Sequence, residues 1–280
     1  MSSSTTVRVL GPSDLPAFLS LVDRDPVVNV FAGHRARLTT LEPRWLGGEV
    51  WGRFISGELV SALHVGANLV PIGFGGDDVE AYLPVALAER RSVATIVGPA
   101  EPVEELWSRL EPQWGPAREI RRGQPHLEIG TRPMVPGDPR VVPTGREEID
   151  LVYPACVAMY TEEVGVSPEQ DGGADLYRAR VAQLVARGWQ FSLIEDGRVI
   201  FKAEVACATS RAAQIQGVYV VPDRRGEGLA TSGMAAVVDL VRATIAPVVS
   251  LYVNDFNLPA RAAYAKVGFT ESARFTTVMF

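Results

Sequence analysis

The stretch Gly217-Val-Tyr-Val-Val-Pro-Asp-Arg-Arg-Gly-Glu-Gly-Leu-Ala-Thr231 decides the reading of this 280-residue chain. It is an apolar strand that breaks at Pro222 and turns through arginine and glycine. It then enters a segment whose apolar residues, Leu229, Met234, Val237, Val238, Val241 and Ile245, recur at helical spacing up to Pro247. A strand, a glycine turn and a helix start make an anion site. The first N–H groups of a helix lack internal partners, its dipole favours negative charge, and Gly226 and Gly228 let a ligand approach the backbone. Arg224 and Arg225 add positive charge. The lysine of a P-loop is absent, and so is the third glycine of the dinucleotide fingerprint.

Upstream, Phe191 to Ile194, Val199 to Thr209 and Ala213 to Val221 read as three consecutive strands, the first turn being Asp196-Gly197. Downstream, the pattern predicts a strand over Val248 to Val253 and a helix over Pro259 to Val267 closed by Gly268. A last strand, Phe275 to Phe280, follows. The hairpin Phe191 to Glu204 has a counterpart 140 residues earlier, Trp51 to His64 around Gly57. Each is preceded by a short strand and helical sequence, Val7 to Leu10 with Pro12 to Val22, and Arg140 to Val142 with Glu147 to Tyr160. The chain therefore reads as two related domains, 1–132 and 138–280, separated by the proline-crowded stretch Gly130 to Pro143. In the first half, Ala94-Thr-Ile-Val-Gly-Pro-Ala-Glu-Pro-Val103 is taken as the counterpart of the glycine loop. It lacks the arginine and the second glycine, and Glu101 would repel phosphate, so that half reads as non-catalytic. His64, opposite Glu204 in the repeat, is given no role.

Composition bounds the rest. With 47% hydrophobic and 21% charged residues the chain is globular, and its net charge of −6 with 3 histidines speaks against a broad nucleic-acid surface or a histidine-rich metal site. Cys156 and Cys207 form no metal-ligand or disulfide pattern. No apolar run approaches a membrane span, and Met1 to Thr6 is a polar tail unlike a signal peptide, so a cytoplasmic protein is expected.

Two motifs carry a family resemblance. Arg225-x-x-Gly228-x-Ala230, preceded by Val218-x-Val220, resembles the acyl-CoA signature of the GNAT N-acetyltransferase superfamily. Asn257-x-x-Ala260-x-x-x-Tyr264-x-x-x-Gly268-Phe269 resembles its second motif. The resemblance covers about residues 138–280, and the whole chain further resembles actinobacterial GNAT proteins with an uncharacterised, degenerate N-terminal domain. It implies an α/β (α+β) fold of tandem GNAT-like domains, each a mixed, mostly antiparallel twisted sheet flanked by helices. It also implies acetyl-CoA as acyl donor, no metal, and a small-molecule or peptide amine as acceptor. Neither nucleic acid nor membrane is an expected partner, and a homodimer is left open. Carried over by position, the resemblance makes Arg225, Gly226, Glu227, Gly228, Leu229 and Ala230 the pyrophosphate cradle. Val218, Tyr219, Val220, Asn254 and Asn257 become contacts of the pantetheine arm, and Tyr264 the general acid. A second use for Asn257 is helix capping.

The base is less plain. Where many members have a glutamate, eleven residues before the signature arginine, this chain has Gln214, which cannot accept a proton. Glu204 on the neighbouring strand is a candidate if burial raises its pKa. The terminal carboxylate of Phe280 is another, since in some family members the chain terminus enters the site. Glu162 and Glu163 are candidates for recognising a cationic acceptor. The expected function is acetyl transfer to a primary amine by the second half alone; the alternative is an acyl-CoA-binding sensor or scaffold without turnover.

Overall fold

The computed structural model describes residues 4–90 and 92–280. Residues 1–3 of the polar N-terminal tail lie outside the described residues, whereas Thr5 and Thr6 open the first strand. The chain forms two compact units.

In the first unit, β1 (Thr5–Val9) leads to α1 (Leu15–Val22), α2 (Val30–Thr39) and α3 (Pro43–Leu46). An antiparallel meander follows: β2 (Glu49–Ile55), β3 (Glu58–Val65) and β4 (Asn68–Ile72). Then come α4 (Asp78–Ala88), β5 (Thr95–Pro99), which runs parallel to β4, α5 (Ala100–Trp114) and β6 (Glu119–Ile129). Alternation along β3 serves two layers. Ala62 joins Phe18, Leu21, Leu46 and Ile72 on one face, while its neighbour Leu63 joins Tyr82, Trp107 and Leu110 on the other.

The second unit repeats the order. A short β7 (Val142–Pro143), α6 (Ile149–Val164) and α7 (Ala174–Ala186) precede a second meander of β8 (Gln190–Glu195), β9 (Arg198–Ala208) and β10 (Ala212–Val220). Next come α8 (Leu229–Thr244), β11 (Val248–Tyr252) parallel to β10, and α9 (Leu258–Val267); the last strand, β12 (Thr270–Met279), belongs to the first unit from Glu271 on. Both hairpins turn on two residues with positive φ, Ser56 and Gly57 in one and Asp196 and Gly197 in the other, as tight antiparallel turns require.

The fold class is the expected one: mixed α/β, with mostly antiparallel sheets flanked by helices. The compact units, however, do not follow the expected boundary at the end of the chain. Tyr252–Phe256 and Glu271–Phe280 belong to the first unit, where Phe275 to Met279 of β12 pair antiparallel with Pro99 to Thr95 of β5. Val278 is fully buried in that unit's core. The correction has a physical cause. β5 offers an open ladder, and the alternating apolar residues of β12 suit any sheet edge with a hydrophobic face, so local pattern cannot choose between destinations.

Candidate active site

In the second unit the pairing on both sides of β10 changes along its length. The parallel ladder between β10 and β11 covers Ala212 to Gln214 against Val248 to Ser250 and stops there. On the other side β10 stays paired with β9, but with register shifts after Gln214 and after Gln216. Gly217 sits in the second irregularity with φ +60, and a Cβ there would lie 3.0 Å from Met159 Cε and 3.2 Å from both Glu204 Cδ and Lys202 Nζ. Left-handed geometry and crowding both require glycine. Val218, Tyr219 and Val220 thus continue the strand beyond the β11 ladder, which leaves main-chain amide groups for an extended ligand to pair with.

At the end of β10 the chain turns through Pro222 to Arg224 into the glycine loop. Gly226 (φ +86) and Gly228 (φ +84) are both left-handed, and nothing lies within 4 Å of a Cβ built on either. The N–H groups of Thr231 and Ser232 turn back to the carbonyl of Gly228 (3.0 and 3.1 Å), so α8 begins tightly. Among the described residues, the amides of Gly226, Glu227, Gly228, Leu229 and Ala230 find no protein acceptor. A row of free amides at a helix start is the arrangement that holds a pyrophosphate. The arginines serve differently from expectation. Arg225 donates to Val220 O (3.0 Å) and to Glu162 Oε2 (2.7 Å) on α6, and Arg224 is bonded to Glu227 and Glu195. They brace the loop. Glu162, expected to face a cationic acceptor, is held on Arg225 instead.

Of the second motif, Asn257 Oδ1 accepts the N–H of Ala260 (3.2 Å) and so caps α9. Tyr264 is buried with its ring edge-on to Phe269 (centroids 5.8 Å apart), and no partner is recorded for its hydroxyl. Burial, with Glu163 adding to it, pushes its pKa up, so it stays a protonated phenol. Asn254 lies in the first unit and accepts from Gln124 Nε2 (2.9 Å). Phe280 also lies there: its ring packs 5.4 Å from Trp107 and 5.3 Å from Trp114, with Arg90 over its face. Its N–H donates to Ala94 O. The terminal strand that was to bring a carboxylate to the second unit is thus an anchor of the first unit's core, because its aromatic side chain finds its burial there.

Glu204 is corrected more sharply. It is 1% exposed, and burial alone would raise its pKa, but Lys202 and Arg180 outweigh that effect and bring it down to about 2. Lys202 Nζ, itself fully buried, donates to Glu204 Oε2 (3.0 Å) and to Cys156 Sγ (3.4 Å). Arg180 from α7 and Gln216 from β10 each donate to Glu204 Oε1 at 2.8 Å. A carboxylate held this way is no proton acceptor near neutral pH. Sequence reading passed over Lys202, Arg180 and Gln216. The usable signal was Lys202 and Glu204 two apart in an apolar strand, hence on one face, in a chain with only two lysines. Gln214 is nearly buried, with no recorded side-chain partner, and stands at the last β11 pair.

Glu204→Gln should therefore cost about 3–5 kcal/mol, since it leaves Lys202 and Arg180 without their counter-charge. The melting temperature should fall by about 10 °C. Because the folded pKa lies below the unfolded one, the carboxylate's contribution is complete above about pH 4.5 and is lost as pH falls toward 2. Melting curves of the variant should lack that acid-side slope.

The first unit differs at the matching place. By element order the counterpart of the glycine loop is the β4 to α4 connection, Gly73-Phe74-Gly75-Gly76-Asp77, and not the β5 to α5 junction at Pro99 and Ala100. There Asp78, the first residue of α4, accepts the Gly75 N–H (2.8 Å) on one carboxylate oxygen and Arg53 (2.9 Å) on the other. A built-in carboxylate occupies the position where an anion would sit. His64, which the offset aligns with Glu204, is buried against the edge of Phe31, and burial pulls its pKa to about 4.

A meander, a parallel strand that departs from it, and a glycine loop of free amides together define the GNAT acyltransferase fold. Residues 182–269 match the family model described as Acetyltransferase (GNAT) family, and residues 48–152 match one described as a domain of unknown function (DUF4081). The chain carries a GNAT acetyltransferase domain in its second half. No curated protein matches the chain. Among solved structures, a GNAT-family acetyltransferase from Colwellia psychrerythraea shares 14% identity, with 98% of this chain and 99% of that one covered at TM-score 0.59. A tandem GNAT protein from the clavulanic acid biosynthesis pathway shares 16%, covering 99% and 98% at 0.57. A GCN5-related N-acetyltransferase from Sphaerobacter thermophilus shares 17%, covering 98% and 94% at 0.62. At these identities the likeness is one of fold. Among the described residues no helix is long and apolar enough to cross a membrane.

Proposed function

We propose that the protein transfers an acetyl group from acetyl-CoA to a primary amine, with catalysis confined to the second unit. The observation that carries this reading is the row of free amides from Gly226 to Ala230 at the end of a strand that β11 has left. The pyrophosphate would lie on those amides and the pantetheine arm along Val218 to Val220, which would bring the thioester to the Gly217 irregularity. Tyr264 is the proton donor for the departing thiolate. With Glu204 committed to ion pairs, proton removal from the amine falls to water, which the Gln216 amide oxygen can hold, its nitrogen being bonded to Glu204. The positive charges of Lys202 and Arg180 favour the neutral form of an amine nearby, which lessens the need for a base. The reading implies a cytoplasmic setting, where the buried thiols of Cys156 and Cys207 stay reduced.

Release of CoA thiol from acetyl-CoA in the presence of pooled primary amines tests the reading. The alternative, CoA binding without turnover, is favoured by one observation, the low pKa of Glu204, and it predicts binding with no amine-dependent thiol release. Asp78 in the first unit's loop predicts one CoA per chain by calorimetry; a stoichiometry of two would return the first unit to the list of binding sites.

A further inference from the structure

The buried ion cluster beside Gly217 is not balanced. Lys202 and Arg180 are both cations, and among the described residues Glu204 is the one anion paired with them, so one positive charge is left over. The other ionisable groups facing the cluster do not supply the missing negative charge. Burial pushes the Cys156 thiol and the Tyr177 phenol up, so both stay neutral. Three acidic side chains of the covering helices and the loop between them are engaged elsewhere: Asp150 with Arg178, Glu162 with Arg225, and Glu169 with the Tyr153 hydroxyl. The leftover charge falls on the partly solvent-exposed Arg180, where an arriving anion can meet it.

The two cations are not equivalent. Lys202 is fully buried, but the Arg180 side chain keeps 39% of its surface exposed. One of its N–H groups is used on Glu204 Oε1 and the others meet no acceptor among the described residues, so most of a planar fork remains free. That fork shares its carboxylate oxygen with the Gln216 amide, which lies beside Gly217 just beyond the last β10 and β11 pair. Free donors on Arg180 and the free oxygen of Gln216 are thus neighbours fixed by one atom. The first suits a carboxylate, held bidentately, and the second suits an amine N–H.

We infer that the acceptor is an amine bearing a carboxylate close to it, an α-amino acid or a compound of that form, and that Arg180 is the residue that selects it. This rests on the acetyl-transfer reading and adds the substrate class. It also replaces the expectation of a cationic acceptor with an anionic end on the acceptor.

The experiment compares two pools: free α-amino acids, and the same amino acids as carboxamides, which keep the amine and side chain but lose the negative charge. With the full-length protein and acetyl-CoA, thiol release should favour the free-acid pool by about 10- to 100-fold, the worth of a charge-assisted pair. Saturation-transfer NMR of both pools on the CoA-loaded protein reads binding without turnover, so it tests the inference even if acetyl transfer fails. Free acids alone should show contact. Arg180→Gln should erase the preference by raising KM for the acids far more than for the carboxamides, and Arg180→Lys, which keeps the charge without the fork, should restore part of it. Equal turnover and equal binding of the two pools by the wild-type protein would overturn the inference. So would an Arg180→Gln variant that keeps the preference. Absence of thiol release together with selective binding of free acids would count against the acetyl-transfer reading and support Arg180 as the carboxylate hook.

Discussion

Gly228→Glu is expected to weaken CoA binding by about 100- to 1,000-fold. The substituted side chain starts in open space, with nothing within 4 Å of its Cβ, so it need not disturb the packing of α8. Its carboxylate would stand at the helix start whose amides the pyrophosphate needs. A like charge about 4 Å away is worth about 4 kcal/mol at intermediate dielectric, which corresponds to about a thousandfold in affinity. The backbone adds a smaller term, since a residue with a Cβ at φ +84 costs about 1 kcal/mol. Gly228→Ala isolates that term, because it shares the strain without the charge. Calorimetry on both variants checks the assignment. If Glu and Ala bind CoA alike, the phosphate does not sit on this loop.

Tyr264→Phe should lower kcat by about 10- to 1,000-fold, the usual worth of a positioned acid. It should leave CoA affinity and melting temperature nearly unchanged. The ring survives, and with it the edge-on contact with Phe269, while no recorded hydrogen bond is lost. Burial raises the phenol above its ordinary value near 10, so the donor is protonated throughout the neutral range. The wild-type rate should therefore show no alkaline loss from this group until above pH 10. Rates and pH profiles of both proteins check this; a fully active Phe variant would make Tyr264 a packing residue.

Glu204 and Phe280 show where local reading stops. Glu204 in Phe201-Lys-Ala-Glu-Val is legibly a carboxylate in an apolar strand, and in isolation that raises a pKa. Its value is set instead by Lys202 on its own strand, together with Arg180, 24 residues away on α7. Phe280 has the alternation of a strand end, but which sheet takes that strand depends on which open ladder lies in reach. The first unit's anion loop was misplaced for a related reason. A glycine-rich connection after β4 and the proline junction after β5 look equally plausible as a strand-to-helix turn until the order of parallel strands is known.

What the sequence determined by itself is whatever depends on neighbours along the chain. The two-residue turns at Ser56-Gly57 and Asp196-Gly197, the helical stripe after Gly228, the Asn257 cap and the repeated order of elements all follow from residue spacing and backbone preference. The tertiary structure alone decided the pairing of Arg180 with Glu204, the unbalanced charge of Arg180, the carboxylate in the first unit's loop and the destination of β12. These depend on distances between residues far apart in the chain. Coulomb energy, desolvation and strand pairing all act through space, and no local pattern encodes which distant side chain will arrive.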